Sequence, residues 1–124
     1  MKNYISNKNN MSTIFEERFA THPEDARSYD TVRLRQEYLV SNMMKDNLIC
    51  LTYTQYDRYV VGGAVPLSGS LQLEPIDPIK AEYFCERREL GIVNVGGGGM
   101  VTVDGTVYVR TERMLTATSM GECK

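Results

Sequence analysis

An all-β domain, a sandwich or a barrel, is what this sequence predicts, on three observations. Between Tyr83 and Tyr108 short strand-type runs, Ile92 to Val95, Met100 to Val103 and Thr106 to Val109, are separated by glycine-rich turns. Asp104-Gly105 stands between two of these runs, a hairpin signal because a type I′ turn needs positive φ at both central positions. From Leu48 the run L-I-C-L-T-Y-T alternates with a period of two and is rich in strand formers.

The elements follow in order. Met1 to Asn10, rich in Asn and Lys, has no hydrophobic period and reads as part of a disordered tail over 1–13, with Met11 an alternative natural start. Ile14, Phe15 and Phe19 form a short apolar segment, expected as an edge strand. Thr21 to Ser28 places Pro23 and two acids where the first turn of a short helix accepts them. A second helix starts with Asp30 or Thr31 as N-cap and runs to Val40, with Leu34, Tyr38 and Leu39 on one face. After the Leu48 strand, Tyr56-Asp57-Arg58 interrupts, Tyr59 to Val61 resumes, and Gly62-Gly63 breaks the run by a bulge or a close backbone approach. Ala64 to Leu67 and Leu71 to Leu73 read as two more short strands. Asp77-Pro78 opens one helical turn, with Asp77 as N-cap. Beyond Tyr108 the sequence loses alternation and turn chemistry, so 109–124 is read as a tail outside the sandwich.

Composition bounds the function. At 124 residues and 42% apolar the chain holds one core. The 14 basic and 16 acidic residues are interspersed, which gives no positive stripe for phosphate neutralisation and excludes nucleic acid as a partner. Apolar runs fall far short of the roughly 20 residues that span a bilayer, and no secretory signal is legible, so a cytoplasmic protein without a membrane partner is expected. Cys50, Cys85 and Cys123 are neither a disulfide framework nor a zinc knuckle; two buried thiols and one exposed thiol are expected.

The motifs H-P-E-D-A-R-S-Y-D-T (His22 to Thr31), L-R-Q-E-Y-L-V (Leu34 to Val40), Y-D-R-Y-V-V-G-G-A-V-P (Tyr56 to Pro66) and E-R-R-E-L-G-I-V-N-V-G-G (Glu86 to Gly97), followed by V-T-V-D-G-T-V-Y, resemble the N-terminal part of the 5-keto-4-deoxyuronate isomerases. These enzymes are also known as 4-deoxy-L-threo-5-hexosulose-uronate ketol-isomerases. The resemblance covers about Phe15 to Tyr108. It implies that 14–108 is the first half of a bicupin, an incomplete antiparallel cupin-type (RmlC-like) jelly roll behind a short helical arm. It further implies a cytoplasmic hexamer, one zinc per subunit and conversion of 5-dehydro-4-deoxy-D-glucuronate, from pectin and uronan breakdown, to 3-deoxy-D-glycero-2,5-hexodiulosonate. The family is more than twice this length and holds its zinc with a His-x-His, Glu and His set in its second cupin, which this sequence lacks. The expectation is an N-terminal fragment, from a truncated or frameshifted gene, without metal site or catalytic residues and inactive alone. The alternative is a non-catalytic cupin-like module for oligomerisation or sugar binding.

A ketol isomerisation moves a proton between neighbouring carbons through an enediol, which demands a base and a positive partner for the oxyanion. His22, the one histidine, precedes proline in the helical arm and is read as a cap or surface residue, so no metal ligand is predicted. Within Glu86-Arg87-Arg88-Glu89, Arg87 or Arg88 is a weak candidate to grip a substrate carboxylate. The favoured reading gives the quartet inter-strand or subunit salt bridges, with Glu86 and Glu89 as interface candidates and Asp57 and Arg58 at a subunit contact. Gly96 to Gly99 precede a strand rather than a helix and are read as a turn, not a phosphate cradle. Tyrosines 53, 56, 59, 83 and 108 are candidates for a sugar site, but strand tyrosines more often fill a sandwich core.

Overall fold

The alternating run from Leu48 forms the strand on which the first half of the chain assembles. The computed structural model describes residues 3–4, 12–103 and 106–110, which divide into two units at the Leu73–Glu74 bond. In the first unit β1 (Asn3–Tyr4), β2 (Thr13–Arg18), β3 (Ile49–Thr54) and β4 (Val60–Ala64) form one sheet in the order β1-β2-β3-β4. In the second, β5 (Gly99–Val103) and β6 (Thr106–Arg110) form an antiparallel pair. Strands dominate, as an all-β domain requires.

The first sheet is mixed, where the sequence predicts an antiparallel one. β2 and β3 run parallel in register from Thr13↔Ile49 to Arg18↔Thr54, while β1–β2 and β3–β4 are antiparallel. A parallel pair cannot be closed by a hairpin and needs a crossover. The helical arm, α1 (Pro23–Ala26) and α2 (Thr31–Tyr38), is that crossover. β2 is consequently an interior strand rather than an edge, because Asn3 and Tyr4 pair with Glu16 and Phe15 on its far side. At those two residues and at Thr13 the expected disordered tail is paired instead, since β2 offers backbone groups that an extended segment can satisfy. Its other residues, apart from Ser12, lie outside the described residues.

β3 is buried on both faces. Registered partners share a face, so Ile14, Glu16, Arg18, Cys50, Thr52, Val61 and Gly63 lie on one side of the sheet. Thr13, Phe15, Ile49, Leu51, Tyr53 and Gly62 lie on the other. Ile49, Cys50, Leu51, Thr52 and Tyr53 are each at most 9% exposed, and this strand is the core of the unit. Gly62-Gly63 does not break β4. Gly63 faces Cys50 and Gly62 faces Leu51 in unbroken register, and the pair serves close approach: a Cβ on Gly63 would stand 2.6 Å from the Met43 carbonyl oxygen and from Met44 Sδ.

Other expected elements give way to local bonding. Ala64 closes β4, Val65 makes only an isolated bridge to Asp46, and neither Ala64 to Leu67 nor Leu71 to Leu73 is a separate strand. Asp77 is not an N-cap: Ile76 takes that place without a side-chain bond, and Asp77 starts a 3-10 turn over Asp77–Ile79, its carboxylate held by Lys80 at 2.6 Å. Ile92 to Val95 is irregular, because Asn94 turns the chain, accepting from the Gly96 N–H at 3.0 Å and donating to the Gly97 carbonyl at 2.8 Å. The expected hairpin forms, Val103 pairing with Thr106 across a two-residue connection. Asp104, Gly105 and 111–124 lie outside the described residues. Buried side chains of this unit include Ile76, Ile79, Phe84 and Cys85.

Candidate functional site

Three side-chain groupings carry chemistry, two in the first unit and one in the second. The first is charged and lies on the sheet. Glu16 and Arg18, two apart on β2, project from the same face, and Thr52 is the β3 partner of Glu16. Arg18 Nη2 and Thr52 Oγ1 both donate to Glu16 Oε1, at 2.8 and 3.0 Å. Arg18 Nη1 donates to the Leu39 carbonyl just past α2. The Arg18 side chain is 9% exposed, and its Nε–H is buried with no acceptor among the described residues. The charge is therefore paired, but one donor is left unsatisfied.

The second grouping is a cluster of hydroxyls. Thr21 Oγ1 bonds Tyr38 Oη at the end of α2 and lies 3.2 Å from Tyr56 Oη in the β3–β4 turn, while the Thr21 N–H donates to Tyr56 Oη at 3.1 Å. The two rings stand with centroids 6.5 Å apart. If each hydroxyl donates once, the chain of bonds runs from Tyr38 through Thr21 to Tyr56, which receives two donors. The Thr21 side-chain and backbone donors hold the Tyr56 hydroxyl below the ordinary tyrosine value, against a slight opposing effect of burial.

The third is an open cleft of about 510 Å³ bordered by Asp77, Lys80, Glu82, Glu86 and Arg87. Arg87 donates to the Lys80 carbonyl at 2.6 Å, and Glu86 accepts from the Glu82 N–H at 2.9 Å. Arg88 instead lies over the Phe84 ring, 5.8 Å from its centroid. The quartet Glu86 to Glu89 sits in and just after a turn rather than on a strand, so its members do not alternate between sheet faces. Asp57 and Arg58 occupy the β3–β4 turn, both exposed with φ near +53° and +54°. Of the predicted tyrosines Tyr53 is buried, whereas Tyr59 is 67% and Tyr83 39% exposed. The Tyr108 side chain lies outside the described residues.

His22 caps α1, its Nδ1 accepting from the Glu24 N–H at 3.1 Å. That acceptor nitrogen is engaged, and among the described residues no three His, Cys, Asp or Glu side chains gather around a common point. The donor set does not fit a zinc ion. Sequence reading missed the Glu16–Arg18–Thr52 and Thr21–Tyr38–Tyr56 groupings. The first had a signal, two opposite charges at i and i+2 inside an apolar strand; the second joins residues far apart in sequence and had none.

No family model matches the chain. It is 61% identical over 98 residues to the 4-deoxy-L-threo-5-hexosulose-uronate ketol-isomerase of Formosa agariphila, 51% to that of Bacteroides fragilis and 47% to that of Halalkalibacterium halodurans. These matches cover 79% of this chain, which spans only about a third of the length of the relatives, 35% in the first case. Among the described residues no helix is long and apolar enough to cross a membrane.

Proposed function

We propose that this chain, which over 98 residues belongs to the 4-deoxy-L-threo-5-hexosulose-uronate ketol-isomerase family, supplies the scaffold portion of such an enzyme and not its reaction centre. The observation that carries the reading is the 61% identity with one ketol-isomerase. The substrate would be a deoxy-hexosulose uronate, isomerised through an enediol in the cytoplasm. In that reaction the zinc and its ligands are contributed from outside the residues described here, since His22 is committed to a helix cap. Asp57, Arg58, Glu86 and Glu89, exposed in turns, suit contacts between copies in a hexamer. Arg87, exposed beside Lys80, suits a substrate carboxylate better than Arg88, whose guanidinium is spent on Phe84. The two-residue β5–β6 hairpin supports a cupin-type sandwich. The test is direct: the purified chain with added zinc is expected to leave a 4-deoxy-5-hexosulose uronate unconverted, and turnover would overturn the reading.

A second reading, a non-catalytic module that oligomerises or binds sugar, draws on the exposed apolar side chains of Val32, Leu67, Val95 and Met100, each more than 60% exposed. Size-exclusion chromatography and titration calorimetry with unsaturated uronates separate the two. A discrete oligomer or saturable binding without turnover favours the module.

A further inference from the structure

A crossover between parallel strands normally pays for itself by laying the apolar face of its helix on the sheet. Here it does not. Neither α1 nor α2 buries a residue, and Leu34, Tyr38 and Leu39, the face expected to pack, are 39, 49 and 40% exposed. Farther along, the Met43 carbonyl and the Met44 side chain lie against Gly63 of β4.

What fastens the helices is polar. At one end Tyr56 Oη holds the Thr21 N–H and hydroxyl, and Thr21 also holds Tyr38, which ties the start of the arm to its finish. At the other end Arg18 donates to the Leu39 carbonyl. Just beyond, Asn42 adopts φ 59°, a left-handed conformation that asparagine tolerates better than most residues and that sharply redirects the chain. Releasing this arm uncovers no fully buried side chain of α1 or α2, breaks a few hydrogen bonds and gives water access to the Arg18 Nε–H, which has no acceptor among the described residues when the arm is closed.

We propose that residues 20–41 form a detachable strap, clasped by the Thr21–Tyr38–Tyr56 hydroxyls and hinged at Phe19 and Asn42, which opens as a unit while the β2–β3–β4 sheet stays folded. Opening frees the guanidinium of Arg18 from the Leu39 carbonyl and bares the charged face of β2. This inference is independent of the isomerase reading, because it concerns only how the arm is held.

Native-state hydrogen exchange of the purified chain in a urea series tests it. The arm reporters are the amides of Ala26, Arg27, Leu34 and Leu39, which bond to the carbonyls of His22, Pro23, Asp30 and Arg35. The sheet reporters are Cys50 to Tyr53. The arm amides are expected to share one opening equilibrium and one urea dependence, at least about tenfold more open than the sheet. Tyr56→Phe is expected to raise arm exchange by roughly tenfold and leave the sheet amides unchanged, as loss of one or two modest hydrogen bonds dictates. Thr21→Val is expected to act in the same direction with a smaller effect. Arm and sheet exchanging together overturn the proposal, and so do arm amides that open separately, each with its own urea dependence, because that is fraying. A Tyr56→Phe chain that fails to fold also overturns it, since a detachable strap cannot hold up the sheet.

Discussion

Replacing Gly62 by alanine tests whether β4 lies against β3 as tightly as the register requires. Gly62 faces Leu51, and a methyl in place of its hydrogen would stand 2.7 Å from Leu51 Cδ2 while also meeting the Cys50 carbonyl oxygen. One obstacle is backbone in the core strand, so relief requires β4 to move away from β3 and lengthen its hydrogen bonds. Overpacking of this kind costs about 1–3 kcal/mol. The lower backbone entropy of alanine in the unfolded chain returns about 0.4–1 kcal/mol. The net expectation is a loss of about 1–2 kcal/mol. With a slope of about 2 kcal/mol per molar, the middle of the range for a small domain, the urea midpoint should fall by roughly 0.5–1 M. Gly91→Ala is the control, because a Cβ there meets nothing within 4 Å. A Gly62→Ala chain as stable as wild type, with Gly91→Ala unchanged, would refute the reasoning, since it would mean that the two strands are not in van der Waals contact at that rung.

Three further outcomes follow. Asp30→Ala removes the carboxylate that accepts from the Arg33 N–H at 2.8 Å and should weaken α2 by about 1 kcal/mol, read as faster exchange of the Leu34 and Leu39 amides. Tyr56 should ionise at lower pH than an ordinary tyrosine, seen in the ultraviolet difference between wild type and Tyr56→Phe, and Thr21→Val should move that titration back up. Because the folded state favours the tyrosinate, this contribution to stability is fully present above the unfolded tyrosine pKa and is lost as pH falls through the folded value, so stability at neutral pH is unaffected by it. Cys50 and Cys85 are buried, 7% and 6% exposed, and should react with a disulfide reagent only when urea unfolds the chain; rapid labelling of either in the native chain would contradict their burial.

Local rules read this fold well wherever the deciding interaction is local. The caps of α1 and α2, the period of β3 and the antiparallel pairing of β5 with β6 each depend on residues within a few positions, and each was legible. The failures have a common cause. Leu71 to Leu73 and Ile92 to Val95 carry strand-forming side chains, but a strand exists only if a partner presents itself, and no rule of spacing supplies partners. In the second case the Asn94 turn had already claimed the backbone. The glycine pair shows the same limit in reverse: Gly62-Gly63 reads as an interruption, yet the tight approach of Met43 and Leu51 makes glycine the residue that keeps the strand continuous. The chemistry was less legible than the fold, because the sheet network depends on Glu16 finding Thr52 and the clasp on Thr21 finding Tyr56.

The parallel pairing of β2 with β3 determines what the charged residues can do. Had the two strands met through a hairpin, Glu16 and Arg18 would sit beside a turn, open to solvent, where an ion pair contributes at most about 1 kcal/mol. Parallel register instead brings Glu16 beside Thr52 in the middle of the sheet, and the returning crossover sets the Leu39 carbonyl against Arg18. The pair is consequently dry enough that losing one partner would strand the other, at a cost of about 3–5 kcal/mol for a fully buried pair. A group so committed is poorly suited to gripping a substrate, because a new carboxylate would have to displace Glu16 from the same guanidinium. Among the described residues the exposed Arg87 carries no such commitment beyond one backbone carbonyl. Burial thus sorts the arginines: Arg18 is tied to Glu16 and to the Leu39 carbonyl, while Arg87 stands exposed at the cleft with its guanidinium on one backbone carbonyl.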